Sequence, residues 1–157
     1  MQTSAQLTAG IRSERAGIQA LVDVLTEERN ALSRGETDGL AGLASRKREL
    51  LLNIAHLGEQ RNRLLERSGC TADRRGMEIW LRAHDRDGTG RAEWRALMEL
   101  TQSAHRLNQD NGAFIDARMR ANNEALQALM SAGATSHTYG PGGRSVSPMA
   151  SRALASA

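Results

Sequence analysis

At 157 residues, with apolar residues at 39% and aromatics at only 3%, the chain has material for one domain but not for a thick globular core with large anchors. A single cysteine, Cys70, excludes an intrachain disulfide and points to a reducing compartment. The formal charge of +3 comes from arginines interleaved with glutamates, the look of a solvated helical exterior. No aromatic stacking platform accompanies them, so nucleic acid is not an expected partner. No apolar run is long enough to span a bilayer and no apolar leader is visible, so a cytoplasmic location without membrane insertion is expected.

Leu, Ala, Arg and Glu dominate, β-branched runs are missing, and both prolines, Pro141 and Pro148, lie near the C-terminus. The expected class is all-α. An antiparallel helical hairpin and a long C-terminal helix would form an elongated three-helix, coiled-coil-like bundle over residues 1–132, followed by a flexible tail over 133–157.

The first helix is expected over about 3–33, N-capped by Thr3 or Ser4. Its seam reads Leu7, Ile11, Glu14, Ile18, Leu21, Leu25, Glu28, Leu32, in steps of four and three that keep one face. Gly35 suits a helix C-cap, and Thr37 or Asp38 the next N-cap. The second helix is expected over about 38–67, with the seam Leu40, Leu43, Lys47, Leu50, Ile54, Leu57, Arg61, Leu64. Folding the two helices antiparallel sets Leu32 opposite Leu43, Leu25 opposite Leu50 and Ile18 opposite Leu57. The same register brings Glu28 onto Lys47 and Glu14 onto Arg61. A buried Leu or Ile contributes about 1.5–3 kcal/mol, and a partly exposed ion pair about 0–1. Leucines therefore hold the hairpin, and the two charge pairs set its register by penalising slipped alternatives.

A connector containing Cys70 leads to a short helix expected over about 72–84, whose Trp80 would cap the open end of the hairpin. Asp85, Asp87 and Thr89 resemble the first ligands of a calcium loop. With Gly90 as the loop glycine, however, the twelfth position is Ala96, so the bidentate glutamate is missing. His105 has no acidic or Cys ligand at metal spacing. No metal or other cofactor is expected, and no nucleophile, base and orienter can be assembled into an active site.

The last helix is expected over about 91–131. Leu97, Leu100, Ala104 and Leu107 follow three-four spacing, after which Asn111, Ile115 and Met119 succeed one another in steps of four. Such steps make a seam drift around the helix. The second half therefore presents a new face that mixes Asn108, Asn111 and Asn122 with Ile115, Met119, Leu126 and Leu129. Three amides suit a dry core poorly. A groove that receives another chain suits them better, as does a solvated helix end. When empty, such a face could also pair with a second copy of itself. Gly112, within this helix, would tolerate the close approach of another backbone or accommodate a simple kink. Beyond Ser131 the chain is rich in Ser, Gly, Ala and Thr, with no acidic residue after Glu124, a composition that does not repay ordering. Tyr139, ahead of Gly140-Pro141-Gly142-Gly143, stands out as a compact anchor.

Leu107-Asn108-Gln109-Asp110-Asn111-Gly112, the helix that follows to Leu129, and Tyr139-Gly140-Pro141-Gly142-Gly143 together resemble the FlgN-type flagellar export chaperones. Glu28-Arg29-Asn30-Ala31-Leu32 and the segment Lys47 to Leu52 match that family's pattern in order and spacing. The resemblance implies a cytosolic chaperone for the hook–filament junction proteins FlgK and FlgL. It would hold their C-terminal helical ends, prevent premature assembly and deliver them to the type III export gate. By position Asn108, Asn111, Ile115, Met119, Asn122, Leu126 and Leu129 would form the cargo face. Tyr139 would dock on the cytoplasmic domain of the gate protein FlhA, in a turn that departs from the commoner pattern at Pro141 and Gly142. The alternative is a coiled-coil scaffold, or a secretion chaperone for other cargo.

Overall fold

The computed structural model describes the backbone of residues 2–136 and the side chains of residues 5–132. Over these residues the chain is all-α, with α1 (Gln2–Arg34), α2 (Leu40–Arg67), α3 (Arg74–His84) and α4 (Thr89–Ser136) in order. It divides into two units, Met1–Ile115 and Asp116–Ala157. The first holds α1, α2, α3 and α4 through Ile115; the second holds α4 from Asp116.

Local chemistry explains the helix ends. Gly35 adopts φ 74° after α1, so the Glu36 N–H donates to Ala31 O and the Gly35 N–H to Leu32 O. Gly69, at φ 75°, closes α2 the same way, with Cys70 N–H donating to Leu65 O and Gly69 N–H to Glu66 O. Both are left-handed glycine caps that satisfy otherwise orphaned carbonyls. The start of α2 departs from expectation. Its N-cap is Gly39 at φ 90°, with no side-chain cap, because the left-handed turn carries the chain past Thr37 and Asp38 before the helix closes. At α3, Asp73 is the N-cap and accepts from the Gly76 N–H at 2.6 Å. That bond, aided by the Thr71 hydroxyl, holds the Asp73 carboxyl below the usual range.

In the first unit α1 is the shared wall. Its whole seam is buried, from Leu7 through Leu32, and Gly17, Val24 and Ala31 are buried beside it at heptad spacing. The α2 seam is only half-buried at each position from Leu40 to Leu64. The asymmetry follows from neighbours. α1 meets α2 on one side and α4 on another, and a Cβ at Gly17 would lie 3.1 Å from Ile54 of α2. At the open end of the hairpin Leu7, Ile11 and Leu65 cluster with Met77, Trp80 and Leu81 of α3 and with Trp94 and Leu97 of α4. Trp80 is 2% exposed there and stacks on His84 at 4.8 Å.

Candidate partner-binding face

Two polar nodes fasten α4 to the hairpin. In the first, Arg61 of α2 pairs with Glu14 of α1, and its guanidinium lies 5.2 Å from the centre of the Trp94 ring of α4. Burial raises the Glu14 carboxyl above its ordinary pKa, and the Arg61 charge offsets only part of that rise. In the second, Lys47 Nζ of α2 lies 2.8 Å from Glu28 Oε1 of α1. Asn111 of α4 completes the node: its amide donates to Glu28 Oε2 at 2.9 Å and to Leu25 O at 2.8 Å. Each seam carboxylate of α1 thus holds one cation of α2; α4 reaches Glu28 directly through Asn111 and the Glu14 pair through Arg61. Glu93 adds a rim contact, pairing with Arg12 and Arg15 of α1.

The second node corrects one expectation. Asn111 is 2% exposed and both of its amide protons are engaged inside the first unit, so it is not part of an outward face. Leu25 O and the Glu28 carboxylate supply the acceptors that its buried N–H donors require, while its Oδ1 is buried without a donor among the described residues. Asn108 and Ile115, from the same candidate set, are exposed. So is Phe114, at 45%, which lies one residue off the seam through Asn111, Ile115 and Met119. Asn108 also borders a groove of about 220 Å³ whose floor is Ile18, Leu21 and Leu25 of α1 and whose walls carry Leu51 of α2 and Ala104 and His105 of α4. Leu51 is 50% exposed. It lies one residue off the α2 seam, which is the signal that it does not serve the hairpin. A Cβ at Gly112 would meet nothing within 4 Å, so no segment among the described residues uses the access that this glycine offers.

In the second unit the helix presents Met119, Asn122, Leu126 and Leu129 in steps of three, four and three, hence on one face. Met119 is 59%, Leu126 57% and Leu129 70% exposed, and Met130 beside them 75%. Asn122 is exposed as well. Tyr139 and the tail from 137 onward lie outside the described residues.

The stretch resembling a calcium loop has another use. Asp85 Oδ1 accepts from Gly90 N–H at 3.0 Å, and Oδ2 from Arg91 N–H at 2.9 Å, while Asp87 accepts from Thr89 N–H. Burial pushes the Asp85 carboxyl up, but these backbone donors and the Arg91 guanidinium outweigh it and bring it below the usual range. Both carboxylates cap the first turn of α4. No group of three or more His, Cys, Asp or Glu side chains among the described residues is placed to hold a metal ion. No helix among them is long and apolar enough to cross a membrane.

None of the curated protein sequences matches the chain. Among solved structures, the chain is similar to a Pseudomonas aeruginosa protein assigned as the flagella synthesis protein FlgN. The TM-score is 0.61 at 25% sequence identity, over 82% of this chain and 97% of that one. The model of the FlgN protein family matches residues 1–147, and with nearly the whole length inside that match the chain belongs to the FlgN family of flagellar chaperones.

Proposed function

We propose that this protein is a cytosolic type III export chaperone that holds the C-terminal helical ends of FlgK and FlgL through the outward face of α4. The observation that carries the reading is the fate of the apolar side chains on that helix. Before Asn111, Trp94, Leu97 and Ala104 are buried; after it, Phe114, Ile115, Met119, Leu126 and Leu129 are exposed. Exposed apolar residues repeated at helical spacing are what an amphipathic partner helix recognises. Asn122 among them, and Asn108 in the first unit, would supply polar partners that fix orientation without making the grip irreversible. Held cargo ends would be kept from premature assembly, and Tyr139 would present the complex to the cytoplasmic domain of FlhA.

Gel filtration with the C-terminal segments of FlgK and FlgL tests the cargo reading. Co-elution with the wild type is expected, and loss of it with Leu126→Asp/Leu129→Asp at unchanged thermal stability, since both side chains are exposed. A coiled-coil scaffold would ignore the segments altogether, which would overturn the assignment. Tyr139→Ala is expected to leave cargo affinity intact while weakening capture by the FlhA domain. Equal loss of both would sink the separation of the two signals.

A further inference from the structure

The polar nodes and the outward face of α4 leave one large concavity unaccounted for. It is a cleft of about 820 Å³ between α3 and the first turns of α4, lying within the first unit. The turn at residues 85–88 reverses the chain, and Leu81 packs so closely on the start of α4 that a Cβ at Gly90 would come within 2.8 Å of its Cδ2. Leu81, Trp94 and Met98 line the cleft, the first two buried and Met98 half-buried. Around them stand Arg74 and Arg82 from α3 and Arg91 and Arg95 from α4, against only two acidic side chains, Glu78 and Glu99.

The arginines are not equivalent. Arg74 is engaged by Glu78 at 2.9 Å, and Arg91 by Asp85 at 3.1 Å. Arg82 and Arg95 are exposed, and neither has an ion pair with another described residue. Trp94 adds an independent mark: its indole Nε1–H is buried without an acceptor. Unmet positive charge beside apolar side chains defines the occupant's chemistry. We infer that this cleft binds an acidic amphipathic helix of another protein, its apolar side chains against Leu81 and Met98 and its carboxylates on Arg82 and Arg95. Planar guanidinium forks suit carboxylates bidentately. A nucleic acid fits less well, because Trp94, at 7% exposure, offers no open face on which a base could stack. The inference is independent of what occupies the distal part of α4, none of whose residues beyond His105 lines the cleft.

The test titrates the full-length protein with a fluorescent helical peptide that carries Leu at three-four spacing and Glu elsewhere. Its controls are the peptide with every Glu changed to Lys and a single-stranded DNA oligonucleotide. The Glu peptide is expected to bind and to move the Trp94 indole N–H resonance. Arg82→Glu/Arg95→Glu is expected to weaken it by about tenfold or more at an unchanged melting temperature. Arg82→Gln/Arg95→Gln, which removes charge without reversing it, is expected to give an intermediate loss and guards against a folding defect in the reversed variant. Equal binding of the Lys peptide, binding of the oligonucleotide in place of the Glu peptide, or indifference of the Glu peptide to both double substitutions would overturn the assignment.

Discussion

Asn111 donates to a carbonyl of α1 and to the Glu28 carboxylate, so its removal takes two hydrogen bonds from a buried site and leaves Glu28 Oε2 without its amide partner. Asn111→Ala is expected to lower the unfolding free energy by about 1–3 kcal/mol, whereas exposed Asn108→Ala and Asn122→Ala should stay within about 0.5 kcal/mol. Denaturant unfolding of the three variants checks this ranking. Glu14 makes a different prediction. Burial raises its carboxyl in the folded state above the ordinary value of 4.5, so the folded protein binds that proton more tightly than the unfolded chain does. The Glu14 contribution to stability is therefore fully present below 4.5 and declines as pH rises through the elevated folded value. Subtracting the Glu14→Gln unfolding curve from the wild type should leave a difference that falls as pH rises. Asp85 has the opposite sign. Its carboxyl is held below the ordinary 3.8, so its contribution is present above that value and lost as pH falls through the depressed one. Asp85→Asn should remove that part of the acid sensitivity.

Glycines separate the helices into those that close on their surroundings and those that do not. Gly76 of α3 sits against the Thr71 carbonyl, where an added Cβ would lie at 1.9 Å, and Gly76→Ala is expected to destabilise by about 1–3 kcal/mol. Gly112 of α4 faces open space, and Gly112→Ala is expected to stabilise by about 1 kcal/mol, the helix-propensity difference alone. Thermal melts of the two variants should move in opposite directions. The order and class of the helices were legible in the three-four spacing, and the seam showed Glu28 level with Lys47 and Glu14 level with Arg61. Less legible was the third member of each node. Asn111 follows Trp94 by seventeen residues in a helix whose seam drifts, and a polar residue looks the same in sequence whether it faces water or a carboxylate on another helix. The start of α2 was misplaced for a related reason. Thr37 and Asp38 have good capping chemistry, but backbone geometry at Gly39 decided where the helix begins.

Across the molecule, the two units differ in what they do with apolar side chains. In the first, the seam of α1 is buried along its length and draws α2, α3 and α4 around it, with Asn111 joining Glu28 and Trp94 joining the Glu14 pair through Arg61. In the second, Met119, Leu126, Leu129 and Met130 remain exposed. A polar residue every few positions in the sequence hinted at uncovered apolar side chains without locating where they begin; Asn111 is the last buried residue of α4 among those whose side chains are described. A helix whose apolar face is uncovered should open locally at low free energy, and covering it should slow that opening. Amide hydrogen exchange across residues 116–132, with and without the C-terminal segment of FlgK, tests this most directly. Strong added protection there, with little change around Leu25 and Glu28, is the expected result. Unchanged exchange over 116–132 in a protein that still binds the segment would contradict the assignment of this face to cargo.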